Sequence, residues 1–170
     1  DKTSSLRATQ LVLELRKLGW NARIAVPDSN WNREIGQLSG LEPEYFNPRL
    51  RAFVGSVRTI IKKISPHFIH LLNPKEKGAI LAISFPQFRF VFDWEDWSTF
   101  WESRRVAKWY KQRRESWLVK RASLVVTASQ WLQDYIHTQF GRKPLYLPYA
   151  CMPTPDRKST RLNSSHSSVS

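Results

Sequence analysis

"KRASLVVTASQWLQDYIHTQFGRKPLYLP", Lys120–Pro148, decides the fold. "LVVTAS" is a short apolar run with β-branched residues, which suits a pleated, covered strand. Ser129 then stands where a helix N-cap belongs, and Gln130 to Phe140 reads as the helix that it opens. "LYLP" returns to extended backbone. Strand, helix and strand in this order form the repeating unit of a parallel sheet, because parallel neighbours need a crossover.

The same alternation extends upstream. "RFVF" (Arg89–Phe92) reads as a strand ending at Asp93, and Glu102 to Ala122 as a long helix. "HFIHLL" (His67–Leu72) is a strand running into Asn73-Pro74, followed by a short helix over Lys75 to Ile83. Leu50, Phe53, Val54, Val57, Ile60, Ile61 and Ile64 recur at helical spacing. "SNWNREIGQLSGLEPEYFNP" (Ser29–Pro48) reads as a polar loop punctuated by Gly and Pro. "ARIAVP" (Ala22–Pro27) is a short buried strand, and Leu6, Leu11, Val12, Leu15 and Leu18 mark a helix closed by Gly19. Short, nearly continuous apolar strands alternating with helices predict an α/β protein with a Rossmann-like, doubly wound parallel sheet covered on both faces. Ligands in such sheets lie beyond the carboxyl ends of the strands. That rule nominates Pro27 to Ser29, His70 to Asn73, Asp93 to Asp96, and Thr127 to Ser129.

Bulk composition narrows the function. A chain of 170 residues predicts one domain, and nothing approaches the roughly 18 consecutive apolar residues of a membrane span. The opening "DKTSSLRATQ" has neither an initiator Met nor the apolar segment of a secretion signal, so the native N-terminus is expected to lie upstream. Cys151 is the sole cysteine, which excludes an intramolecular disulfide and favours a reducing, cytoplasmic setting. No GxGxxG or GxxxxGK cradle is present, so no nucleotide phosphate is expected to bind here. The His and Cys residues lack metal-ligand spacing, and no metal site is expected. The formal charge of +13 is the outlier. It points to an acidic partner: nucleic acid, anionic lipid or a phosphorylated substrate. Eight Lys or Arg against one Glu fall between Arg104 and Arg121.

Two stretches carry the chemistry. In "FVFDWEDWSTFW" (Phe90–Trp101), Asp93 and Asp96 are the candidate catalytic pair. A carboxylate at a strand end among indoles can serve as a general base, its neighbour orienting it or binding a sugar hydroxyl. The same residues could equally cap the next helix while the tryptophans fill core. His70, Asn73, Trp94, Trp97 and Ser129 are the candidate ligand-binding groups, although His70 also suits a satisfied interior position and Ser129 a plain helix cap. In "RRVAKWYKQRRESWLVKR" (Arg104–Arg121), Val106, Trp109, Tyr110, Trp117 and Leu118 lie on roughly one side. Three readings fit: an apolar stripe covering core, an interfacial helix whose Arg104, Arg105, Lys108, Lys111, Arg113 and Arg114 meet an anionic membrane, or a nucleic-acid surface with aromatic stacking.

The order of "RATQLVLELRKLGWNARIAVP", "SPHFIHLLNP", "FRFVFDWEDW" and "KRASLVVTASQWLQDYIHTQFGRKPLYLPYA" resembles the N-terminal, acceptor-side half of a GT-B glycosyltransferase of the retaining family 4 type. The resemblance covers about Leu6 to Pro153. It departs from the family pattern at three places: "LPYA" replaces the usual Pro-Asn-Gly, His67 stands where Asp is usual, and Asp93 ends a strand that often ends in His. The resemblance implies residues 1–155 of a Rossmann-like domain that lacks its first strand and its C-terminal donor domain. It further implies a parent enzyme that moves a sugar from a nucleotide-sugar donor to a sugar or lipid-linked acceptor with retention. This half alone is then inactive and holds no cofactor. Location in the cytoplasm, peripheral on the inner membrane face, follows as an expectation. A basic nucleic-acid-binding α/β module is the alternative.

Residues 156–170, "DRKSTRLNSSHSSVS", are polar, Ser-rich and free of aromatics, so disorder is expected. Asp156 to His166 resembles, at all eleven positions, the conceptual translation of a common sequencing-library adapter, which makes this tail an expected non-native extension. It holds three basic residues and one acidic one, so the basic character belongs to the rest of the chain.

Overall fold

The computed structural model describes residues 2–73, 76–96, 99 and 102–148. Trp97, Trp101, Cys151 and the expected tail lie outside them. Helices and strands alternate throughout: α1 (Lys2–Lys17), β1 (Ala25–Pro27), α2 (Asn30–Ser39), β2 (Glu44–Phe46), α3 (Leu50–Ile64), β3 (Phe68–Leu72), α4 (Glu76–Ser84), β4 (Arg89–Trp94), α5 (Arg105–Arg121), β5 (Leu124–Thr127), α6 (Gln130–Phe140) and β6 (Leu145–Tyr146). Every strand pair is parallel, and helices flank the strands, as the alternation predicts.

Among the described residues the strands form two sheets. β1 pairs with β2, and β3-β4-β5-β6 form a four-stranded sheet. Neither β1 nor β3 pairs with the other, so each presents one edge without a described strand partner. The interior divides correspondingly. Phe53, Phe90, Phe92, Leu118, Val119, Val125 and Ile136 anchor the larger cluster, all at most 1% exposed. Val12, Ile24, Val26 and Leu41 form a smaller one beneath the two-stranded sheet. Trp20 meets Phe68 edge to face at 6.2 Å, bridging the approach to β1 and the start of β3.

The stretch Ser29–Pro48 is not the loop its polarity suggests; it contains α2 and β2. Ser29 caps α2 by accepting the Asn32 N–H, and Gly40 closes it in the left-handed region (φ 64°), where glycine has no Cβ to clash. The pattern is disguised because a polar residue occupies a buried position. Asn32 is 7% exposed, yet its amide donates to Pro27 O at 2.7 Å and accepts from the Ser5 hydroxyl at 2.9 Å. A satisfied amide is tolerated inside, but it breaks the apolar spacing that sequence reading relies on.

Gly36 sits on the buried face of α2, and a Cβ there would lie 3.0 Å from the Pro43 ring and 3.1 Å from the Tyr45 hydroxyl. Gly55, inside α3, faces open space. Opposite effects follow. Gly36→Ala should destabilise by about 1–3 kcal/mol through overpacking, whereas Gly55→Ala should stabilise by about 0.5–1 kcal/mol through restriction of the unfolded chain. Thermal unfolding of the two variants checks the pair; shifts of the same sign would refute the close approach at Pro43.

Candidate functional site

Alternation along β4 separates its side chains into two sets. Phe90, Phe92 and Trp94 face the larger cluster, all 4% exposed or less. Val91 and Asp93 take the opposite face, because successive strand residues alternate. The strand runs through Trp94, so the acid nearest Asp93 in structure is Glu95, two residues on, rather than Asp96. Asp96 is exposed. Asp93 is fully buried and Glu95 is 8% exposed.

Arg7, from α1, compensates the buried charge. Its Nε donates to Asp93 Oδ2 at 3.0 Å and its Nη2 to Asp93 Oδ1 at 3.1 Å, a two-pronged pair. The same guanidinium donates to the carbonyls of Leu147 at 3.0 Å and Pro148 at 3.4 Å. A planar fork is the only side chain suited to this arrangement. From β3, His70 Nε2 lies 3.2 Å from Asp93 Oδ2. The Asn73 N–H, at a left-handed residue (φ 47°), donates to the Asp93 carbonyl at 2.7 Å, which fastens the end of β3 to β4. Four groups from three elements thus meet at the carboxyl ends of the strands, one of the positions nominated for a ligand.

Burial pushes the Asp93 carboxyl upward, but hydrogen bonds from His70 and Arg7 outweigh it and hold the group below the usual carboxylate range. Asp93 is therefore ionised and can only accept. His70 Nε2 must then carry the proton of this hydrogen bond, so Nδ1 is the ring nitrogen not engaged by Asp93. Glu95 moves the other way. Burial raises it, the Ser4 hydroxyl bond opposes, and the neighbouring Asp93 charge raises it further. Its Oε2 accepts from Ser4, while Oε1 has no hydrogen-bond partner and lies 3.9 Å from Arg7 Nε. One guanidinium serves two carboxylates, and Asp93 holds the better geometry.

The side chains differ in access. His70 is 19% exposed where Asp93 is at 0% and Arg7 at 7%. His70 is thus the member that a ligand can reach, and Asp93 is the residue behind it. The other sequence candidates fall apart from this group. Trp94 is core, so it offers no face to a sugar ring. Ser129 caps α6 by accepting the Leu132 N–H at 3.2 Å. Trp97 lies outside the described residues. Arg7 and Glu95 escaped the sequence reading. Glu95 was accessible to it: the period of two, continued one step past Asp93, lands there. Arg7 was not, being 86 residues away on a helix.

The basic helix also differs from the reading in which its stripe covers core. Leu118 and Val119 are fully buried, but Val106, Trp109, Tyr110 and Trp117 are exposed, so the aromatic stripe does not cover core. Arg114 is buried and bonded to Glu76, which removes it from the outward basic set. Arg104 and Lys111 bind Glu102, whose carboxyl they hold down at about 2. No group of three or more metal-ligating side chains occurs among the described residues, and no helix there is long and apolar enough to cross a membrane.

The glycosyl transferase 4-like domain family matches residues 4–150. A crystal structure assigned as a UDP-N-acetylglucosamine 2-epimerase from Listeria monocytogenes aligns with a TM-score of 0.65 at 8% identity, over 84% of this chain and 41% of that one. At that identity the likeness concerns the fold, and this chain spans less than half of the epimerase. Comparison with curated proteins gave no match.

The buried charges make two predictions. Arg7→Met leaves Asp93 charged and uncompensated, and should cost about 3–5 kcal/mol; a loss below 1 kcal/mol in denaturant unfolding would contradict the pairing. The two carboxylates act oppositely with pH. Asp93, lowered in the folded state, stabilises above the ordinary Asp range and loses that contribution as pH falls through its folded value. Glu95, raised in the folded state, favours folding at acid pH and loses that contribution as pH rises through its raised value. Glu95→Gln should therefore raise the melting temperature at neutral pH, with the gain vanishing in acid.

Proposed function

Because the chain belongs to the glycosyl transferase 4-like domain family, we propose that it forms the acceptor-side half of an enzyme transferring a sugar from a nucleotide-sugar donor to a sugar or lipid-linked acceptor. The observation that carries the reading is the Arg7–Asp93–His70 group at the carboxyl ends of the strands, with only His70 open to a ligand. Within the family, an acceptor-side domain needs a group that holds a hydroxyl in line with the anomeric carbon. His70 fits that need. Its Nδ1 lone pair accepts the hydroxyl hydrogen bond, Asp93 fixes the tautomer and ring plane, and Arg7 fixes Asp93.

In this reading Asp93 is a positioning residue rather than the base, since both its oxygens are engaged and its proton affinity is lowered. The acceptor oxygen bonds to the anomeric carbon as the bond to the donor phosphate breaks; the hydroxyl proton passes along its hydrogen bond to His70 Nδ1, and the phosphate leaves with the electron pair as an anion. Attack from the leaving-group face gives retention. The nucleotide and the departing phosphate are held by a donor domain beyond the residues described, where positive groups and helix N-termini can stabilise the charge.

The test uses the polypeptide in which this domain is joined to its donor domain, with a panel of nucleotide sugars and sugar or lipid-linked acceptors. His70→Ala should lower kcat about 100-fold or more, in the range of lost positioning, with little change in melting temperature. Asp93→Asn should lower kcat to a comparable extent and shift the pH profile, because the amide can present its NH₂ to Nε2 and so favour the other tautomer, which protonates Nδ1. Transfer by His70→Ala at the wild-type rate would overturn the assignment.

A further inference from the structure

The outward face of α5 is built like the inner face of another helix. Its fully or nearly buried residues are Arg114, Glu115, Leu118 and Val119, all in the last eight positions. At 100° per residue, the direction opposite these carries Val106, Trp109, Arg113, Trp117 and Lys120, with Tyr110 at its edge. Val106 is 81% exposed, Tyr110 59%, Trp109 57% and Trp117 39%. One such residue alone is ordinary on a surface. Four at positions i, i+3, i+4 and i+11 on the solvent side of one helix form a stripe.

Cations accompany the stripe. The Arg113 guanidinium lies over the Trp109 indole, 5.3 Å from the ring centre. On this side, Arg105 and Lys120 have no ion-pair partner among the described residues, whereas Arg104, Lys111 and Arg114 do. The face is therefore apolar along its crest and net positive on its flanks. A convex helix crest has no groove to track a nucleic-acid backbone, and its rings lie along a single line. An apolar crest with indoles, a phenol and flanking cations matches an interface between water and anionic headgroups, where Trp and Tyr settle and Lys and Arg snorkel outward.

α5 leaves the carboxyl edge of β4, the edge at which Asp93 and His70 sit, and its first nine residues contain none of the buried positions. That is about 13 Å of helix not committed to the core. We infer that the Val106–Lys120 face of α5 docks this domain on an anionic lipid surface, with His70 at the strand edge that α5 follows, so that a lipid-anchored acceptor reaches it without leaving the membrane. The acceptor clause rests on the proposed sugar transfer; the docking itself does not.

The experiment is vesicle co-sedimentation of the full chain with phosphatidylcholine vesicles, with and without phosphatidylglycerol, across salt. Binding is expected only to the anionic vesicles and to weaken with salt. Each neutralised cation should lower the partition constant about fivefold, so Arg105→Gln/Arg113→Gln/Lys120→Gln should lose about 100-fold. Trp109→Ser/Trp117→Ser should lose about tenfold or more while the melting temperature holds, since the stripe supports no core. Brominated lipid should quench the tryptophan emission of the wild type more than that of this double variant. Vesicle binding that the variants leave unchanged, absence of binding, or tighter salt-dependent binding to a DNA or RNA duplex than to vesicles would each overturn the inference. These outcomes are independent of sugar transfer, so a null result in the His70→Ala assay leaves them standing.

Discussion

The guanidinium of Arg7 is the point on which this structure closes. A carboxylate buried as completely as Asp93 persists as an ion only when its charge is met and its lone pairs are filled. Arg7 meets both requirements at once, and it does so from a helix at the start of the chain while holding two carbonyls near residue 148. Sequence-distant segments are thus pinned to β4 by one planar group. The cost of desolvating the ions is offset by four directed hydrogen bonds, so the arrangement specifies a geometry more than it adds stability.

That geometry has a chemical result. A lone histidine on a strand could adopt either tautomer, but one facing an ionised, fully occupied carboxylate cannot. The order of influence runs from Arg7 to Asp93 to His70, and only the last is open. Glu95 shows the other side of the same limitation: the fork of a single arginine is spent on Asp93, so the second carboxyl is left to burial and drifts upward. Two acids two residues apart acquire opposite proton affinities from one cation.

Much of the architecture was legible because short apolar strands and capped helices announce themselves. Ser129, Gly19 and the Leu50–Ile64 spacing led to elements that the structure contains, and strand alternation led to an all-parallel arrangement. The failures share one physical origin, namely that hydropathy does not reveal what a side chain is paired with. Asn32 is polar and buried because its amide is satisfied, which hid α2. Trp109 and Tyr110 are aromatic and exposed, so hydropathy alone could not choose among the readings of α5. At the site, Asp93 and His70 were visible as strand-end residues. Their joining through Arg7 was not, since nothing local marks a partner 86 residues away.

The division of the interior into two clusters bears on how the molecule breathes. Among the described residues the β1–β2 pair has no strand bond to the larger sheet, and its own cluster holds four buried apolar side chains, with Phe46 of β2 reaching across to Phe53 of the larger one. Cooperative units with fewer buried contacts open at lower free energy than the whole. Backbone amides of Ala25, Val26 and Glu44–Phe46 are therefore expected to exchange faster than those of β4 and β5. α1 spans the boundary, its Val12 in the small cluster and its Arg7 on Asp93. Loosening of the weaker half is therefore transmitted as strain on the guanidinium that sets the tautomer of His70.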